Sequence, residues 1–486
     1  MNSLVEVRMA HQGDSLEGLT ILPAFEAEDP AATAPEAWRA SVEVARRRPG
    51  FRGAEKQRTE TSAAGSVLVL HGLGPRMAFD DRKLAAWLAR LLDELRLAEV
   101  EEALICLPDH PACRGAAAAE RTLRRLALGR YSYDPFKSER EPAFPLRLAV
   151  RPPAGEEDSY RQALAVAPPL AAGVAFARDL ANSPANLATP EWMEEQARTL
   201  ARERGCGFEV LDAAELASRG MGGILSVGQG SAQPPRLVRL EWGHRGPVVA
   251  LVGKGVTFDT GGISIKPAQN MEDMKFDKSG ACTVLGVFHA VTALDLPVRL
   301  RGYLPLAENM PDGASYRPSD ILRCYNGKTV EVVNTDAEGR LLLADALALA
   351  AEEKPDTIVE FSTLTGACVV ALGFHGAGLF SPDDTLAAGL LAAAEASGER
   401  LWRLPLWPEF GEEMKGNHGD LKNSGGRWGG AATAAAFLAH FVGEHRSWAH
   451  VDIAGPAQEP GEGAKASGAT GYGVPLAVHF LRALSS

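Results

Sequence analysis

The sequence predicts an α/β protein of two domains: a smaller N-terminal α/β domain and a larger C-terminal domain built on a mostly parallel, helix-covered sheet. Three observations predict it. At 486 residues the chain exceeds the usual size of a single core. "RPPAGEED" (151–158) mixes Pro, Gly and charge, the composition of an exposed connection. The expected domains are therefore 1–150 and 171–486, with 151–170 linking them. Beyond about residue 170, apolar runs alternate with helical stretches, and runs apolar on both faces that are joined by helices indicate a parallel sheet covered on both sides.

Each element follows in order. In the first domain "SVLVLHGLG" (66–74) reads as a buried strand and "DRKLAAWLARLLDELRLAEVEEAL" (81–104) as one or two helices. In the second, "PVVALVG" (247–253), "VRLRGYLPL" (298–306), "TIVEFSTL" (357–364) and "WAHVDIAG" (448–455) read as strands. The helices include 279–296, 339–353 and 429–442. "VNTDAEGRLLLADALALA" (333–350) begins as a strand and ends as a helix. In such sheets ligands gather at the carboxyl ends of the strands, where the polar residues of this chain fall.

A formal charge of −12 argues against a general nucleic-acid or anionic-membrane binder. The N-terminus lacks an apolar stretch after a basic start, and no run of about 18 apolar residues stands out, so the expected location is the cytosol. Six cysteines without a C-x-x-C pair read as reduced, buried thiols. No G-x-S-x-G, H-E-x-x-H, P-loop or G-x-G-x-x-G motif appears. His375, His418 and His450 read as surface or packing residues. "GDLKNSGGRWGG" (419–430) reads as a flexible turn whose Lys422 and Arg427 are candidate anion holders.

Two stretches carry chemistry. In an extended segment Asp336 and Glu338 point the same way, and two converging acids repel unless a cation lies between them. Capping of the following helix is the competing explanation. The second stretch, 251–281, carries Lys254, Asp259, Lys266, Asp273, Lys275, Asp277 and Lys278. Lysine is scarce in this chain, 12 residues against 38 arginines, yet four of the 12 lie between 254 and 278. Lysine, unlike arginine, can become a neutral donor. Asp259, Asp277, Asp336 and Glu338, from two separate strand ends, supply enough hard oxygen for two divalent metals. Such a pair activates a bridging water for attack on a carbonyl, which brings amide hydrolysis within reach.

"NTDAEGRL" (334–341) and "GKGVTFDTGGISIKP" (253–267) resemble the leucyl aminopeptidase family, the two-metal cytosolic M17 exopeptidases. "RDLANSPANLATP", "PLAENMPDGASYRPSDI", "TLTGACVVALG" and "ATGYGVPLAVHFL" extend the resemblance from about residue 170 to the end, and "LALGRYSYDPFKSE" carries it more weakly into the first domain. The resemblance implies that Lys254, Asp259, Asp277, Asp336 and Glu338 are metal ligands. Asp259 and Glu338 would serve both ions, Lys254 and Asp277 one site, and Asp336 the other. It makes Lys266 the group that polarises the substrate carbonyl and Arg340 the holder of a bicarbonate ion that accepts the water's proton. It places Met274, Thr363, Leu364, Gly366 and Ala454 around an apolar side chain such as Leu or Met.

The resemblance further implies a macro-like N-terminal domain, peptide substrates with a free α-amino group, and a homohexamer. Zn or Mn are the expected metals, with Mg and Co as alternatives. Lys278 departs from the family, where many members have Met. A positive charge beside Asp277 is expected to weaken metal binding or change the preferred metal. A narrower Cys-Gly dipeptidase specificity and a DNA-binding role through the Arg-rich stretches 43–58 and 121–130 stand as alternative readings.

Overall fold

The computed structural model describes residues 5–10, 18–34, 36–63, 66–139, 145–460 and 468–485. The chain divides into two compact units, Met1–Ala172 and Gly173–Ser486. The fold class is the predicted one.

In the first unit, six strands form one sheet among the described residues. Glu6–Met9, Arg147–Arg151, Glu102–Cys106, Leu19–Phe25 and Ser66–Gly74 pair in parallel, in that spatial order, and Arg58–Ala63 closes the edge antiparallel. The helix Asp81–Leu97 buries Leu84, Trp87, Leu88, Leu91, Leu92 and Leu95, a stripe at three- and four-residue spacing. Asp80 caps it by accepting from Lys83 N–H. The run expected to be one or two helices thus ends as helix at Leu97 and resumes as the strand Glu102–Cys106.

Residues 152–156, between the strand Arg147–Arg151 and the helix Glu157–Asn182, include a turn with Gly155 at φ +83°. The helix then runs on through the division at Ala172. It corrects one expectation, because its 26 residues hold an 18-residue window of mean hydropathy 1.3, long and apolar enough to span a membrane, although half of that window is buried within the protein. Pro168 and Pro169 lie inside the helix.

In the second unit the four predicted apolar runs become neighbours. The strands Trp448–Asp452, Thr357–Ser362, Val248–Gly253 and Arg299–Asn309 pair in parallel as a contiguous block. The short strand Gly255–Asp259 also pairs in parallel with Arg299–Asn309. Ala377–Phe380 flanks the block antiparallel on one side and Arg236–Trp242 on the other, and Gly207–Leu211 pairs antiparallel with the outer edge of Arg236–Trp242. Ala250, Val252, Tyr303 and Ile358 pack in one core cluster with Leu341–Leu343 and Ala346–Ala350 of the helix Gly339–Glu352. The helix Ser279–Leu294 also lies on the central strands. Its buried residues, among them Val284, Leu285, Val287, Phe288 and Val291, cover nearly its whole circumference, as a helix enclosed by protein requires.

Candidate metal centre

The centre grows from the carboxyl ends of that block. Lys254 directly follows the strand Val248–Gly253. Its N–H donates to Phe361 O at 3.1 Å and its carbonyl accepts from Ala281 N–H at 2.8 Å. Glycine makes the crossing sterically open: a Cβ on Gly339 would lie 2.4 Å from Lys254 Cε, and one on Gly280 would lie 2.1 Å from Phe361 O. The buried Lys254 ammonium lies 2.8 and 2.7 Å from the two Asp277 oxygens, 2.8 Å from Glu338 Oε1 and 3.0 Å from Thr363 O. Thr363 Oγ1 donates to Asp277 Oδ1 at 2.7 Å.

Asp259 ends the strand Gly255–Asp259. Its Oδ1 accepts from Gly261 N–H at 2.9 Å and Asn309 Nδ2 at 2.8 Å, and its Oδ2 lies 2.7 Å from Lys266 Nζ. Lys266 pairs with Asp336 as well. One oxygen from each of Asp259, Asp336 and Glu338 can be chosen so that the three lie within 4.8 Å of one another.

Four carboxylates therefore face two ammonium groups, and an excess of negative charge remains. Burial and the neighbouring Glu338 and Asp277 charges push the Asp259 carboxyl above its ordinary range, and burial raises Asp277 too. Burial alone would lower the two lysines, but the surrounding carboxylates more than offset it and hold both above their ordinary values. Carboxylates clustered beyond their own counter-charge, with an oxygen triad of this size, fit a divalent metal centre.

The structure corrects how the acids converge. The strand before "NTDAEGR" ends at Glu331, residues 332–338 form a loop, and Asp277 comes from a 3-10 segment, Met271–Lys278, rather than a strand end. Asp336 and Glu338 are brought together by loop contacts, not by strand alternation. Thr335 Oγ1 donates to Gly261 O at 2.6 Å and accepts from Ser264 N–H at 2.7 Å, which stitches the loop to the residues after Asp259. Glu338 precedes the helix without a side-chain capping bond, so capping does not explain these acids.

Two organising residues escaped the sequence reading. Asn309 also donates to Thr335 O at 3.0 Å, and Asn423 accepts from Val333 N–H at 2.7 Å while donating to Asn334 O at 2.6 Å. Both are fully buried. Asn309 sits within the family-like "PLAENMPDG", the one signal available. The stretch read as a flexible turn instead pairs Leu421–Lys422 with the strand Thr329–Glu331 and delivers Asn423.

Lys278, beside Asp277, has partners of its own. Its fully buried Nζ turns to three backbone carbonyls, Ala181 O at 3.1 Å, Ser183 O at 2.9 Å and Lys275 O. It ties the segment bearing Asp277 to the end of the helix Glu157–Asn182. Arg340 is buried with an unpartnered Nε, and burial pulls its guanidinium down to about 10 against the opposing pull of Glu338 and Asp452. Leu364 and Ala454 meet at one carboxylate, Asp452. Met274 shares the 3-10 segment with Asp277, and Gly366 opens the helix Gly366–Leu372. His450 is a packing residue as expected, paired with Glu360 and stacked on Phe380.

An acid- and lysine-lined centre at the carboxyl end of a parallel sheet fits a metallohydrolase. Residues 175–478 match the family model described as cytosol aminopeptidase family, catalytic domain. Relatives named probable cytosol aminopeptidase include one from Methylobacillus flagellatus, 43% identical over 86% of this chain and 85% of its own, and one from Acidovorax sp. (strain JS42), 49% identical over 76% and 74%. The solved structure titled "Bottromycin maturation enzyme BotP in complex with Mn" superposes with a TM-score of 0.83 at 36% identity, covering 97% of this chain and all of that one. The chain belongs to the cytosol aminopeptidase family, and its enzyme class is metallo-aminopeptidase.

Proposed function

We propose that the protein releases N-terminal amino acids, Leu and other apolar residues first, from peptides with a free α-amino group. The observation that carries this reading is the paired arrangement in which Lys254 joins Asp277 to Glu338 and Lys266 joins Asp259 to Asp336. It supports the ligand division implied by the resemblance: Asp259 and Glu338 shared, Lys254 and Asp277 on one side, Asp336 on the other. Two divalent ions held there would supply Lewis acidity and a water of lowered pKa. Mn, which the BotP structure holds, and Zn are the preferred metals, with Mg and Co as alternatives.

The chain's own residues then divide the work. Lys254 would hold its ion as a neutral amine, having lost its proton to the positive charge that the ion brings among the carboxylates. Lys266, the more accessible ammonium at 21% side-chain exposure, donates to the substrate carbonyl as it becomes an oxyanion. Arg340 would hold a small anion, bicarbonate, which when bound supplies a proton acceptor; its unpartnered Nε supports this role. Thr363 orients Asp277. Met274, Thr363, Leu364, Gly366 and Ala454 receive the first side chain.

A cytosolic location accords with the relatives' names, and a homohexamer with the exposed Val370, Trp402, Trp407 and Trp428. The DNA-binding alternative loses support because Arg46 and Arg47 pair with Glu43, and Arg121 and Arg125 with Asp81. No observation favours Cys-Gly specificity.

The test is hydrolysis of Leu-p-nitroanilide and a dipeptide panel, with chelator and with Mn or Zn add-back, beside E338A. Metal-restored release that N-acetylation of the substrate blocks is the expected result. No release under any metal from the folded protein would refute the reading.

A further inference from the structure

Asp452 ends the strand Trp448–Asp452, is fully buried, and contacts no residue of the proposed ligand set through its carboxylate hydrogen bonds. Those bonds go elsewhere. Oδ1 accepts from Leu364 N–H and from Ala454 N–H, both at 3.1 Å, and Oδ2 accepts from Thr365 Oγ1 at 2.7 Å. Leu364 and Thr365 leave the strand Thr357–Ser362, whereas Ala454 leaves the neighbouring strand that Asp452 ends. One carboxylate thus clamps the exit loops of two parallel strands. Thr365 extends the clamp, since its Oγ1 also accepts from Cys368 N–H at 3.0 Å and caps the helix that Gly366 opens.

Resting on the aminopeptidase reading, we infer that Asp452 is a positioning residue for substrate selection, whose carboxylate sets the spacing between the two walls of the first-residue pocket. Leu364 and Gly366 belong to one wall and Ala454 to the other. Burial fixes the clamp, because a carboxylate removed from water keeps its hydrogen-bond partners in place. Oδ2 is the oxygen that holds the Thr365 wall. In Asp452→Asn the remaining carbonyl oxygen can still accept from both N–H groups, but the short bond from Thr365 Oγ1 to a charged carboxylate oxygen is replaced by a weaker, neutral one in which Oγ1 accepts from the new NH2 beside Cys368 N–H. The Thr365 proton then loses its carboxylate acceptor and that wall is held less firmly.

A pocket with a fixed gap separates a four-carbon side chain from a methyl by the apolar area each buries, on the order of 10–100-fold in kcat/KM. A loosened wall loses part of that contact for Leu and little for Ala. The experiment compares kcat and KM for Leu- and Ala-p-nitroanilide in the metal-loaded wild type, D452N, T365V and T365S, with metal content measured for each. D452N and T365V are expected to lose about tenfold of the Leu-over-Ala preference, mainly through KM for Leu, with unchanged metal content. T365S, which keeps the hydroxyl, is expected to behave as wild type.

An unchanged Leu/Ala ratio in D452N and T365V would overturn the inference, and so would an equal loss on both substrates. If D452N does not fold, T365V against T365S carries the same comparison. A wild type that cleaves neither substrate would instead overturn the aminopeptidase reading on which the inference rests.

Discussion

Replacing Lys278 by Met separates two physical accounts of that residue. If its charge acts on the neighbouring Asp277, its removal strengthens metal binding; if it anchors the backbone, its removal loosens the centre. The structure favours the anchor, and the balance is calculable. Burial pulls the Lys278 ammonium from 10.5 to about 8, and the accompanying cost of keeping it charged is about 3 kcal/mol. Met returns that cost but leaves the carbonyls of Ala181, Ser183 and Lys275 without their donor. At roughly 1–3 kcal/mol for each orphaned buried acceptor, that loss is about 5 kcal/mol. The expected net destabilisation is about 2 kcal/mol, a fall in melting temperature of roughly 4 °C. The segment Met271–Lys278 would then hold Asp277 less firmly, with metal affinity reduced about 10-fold, as for other groups that orient ligands. Thermal melts of the chelated protein and metal titrations of wild type and K278M measure both quantities. An unchanged melting temperature together with tighter metal binding would refute the anchor and restore the simple charge argument.

Three further outcomes are expected. Asn423→Ala removes the side chain that holds Val333 and Asn334; it should cost about 2–3 kcal/mol and lower metal retention, read by metal analysis after dialysis, and an unaffected stoichiometry would show that the Asp336 loop stands without it. Glu338→Ala, which deletes a carboxylate assigned to both metals, should reduce kcat/KM by at least about a thousandfold with metal lost in parallel; near-wild-type turnover would refute its assignment. Asp345 is fully buried, and burial raises its carboxyl to about 7 although Ile224 and Tyr325 N–H groups bind it. Since this folded value exceeds the ordinary 3.8, the folded state holds the proton more tightly; the stability it contributes is complete below about pH 4 and lost as pH rises through 7. Melts of wild type against D345N should therefore show wild type losing ground between about pH 4 and 7 and levelling off above that, and parallel curves would contradict the shift.

Much of this protein was legible in its residues because local pattern and chemistry agree. The four apolar runs became four adjacent parallel strands, since a strand apolar on both faces is stable only inside a covered sheet. Lys254, Asp259, Asp336 and Glu338 stood out because acids and lysines concentrated at strand exits in a chain that prefers arginine. Other features had no local signature. Asp336 and Glu338 converge because Thr335 and the distant Asn423 bend their loop, and a hydrogen bond across about 90 residues leaves no periodicity to read. Lys278 looked like a charge beside a ligand because sequence gives adjacency without direction; only packing shows its ammonium among the Ala181, Ser183 and Lys275 carbonyls. The sequence by itself determined which side chains were available for the chemistry and on which sheet they would lie. Tertiary structure alone decided their aim and spacing, because those depend on buried partners contributed by chain segments that meet only in the fold.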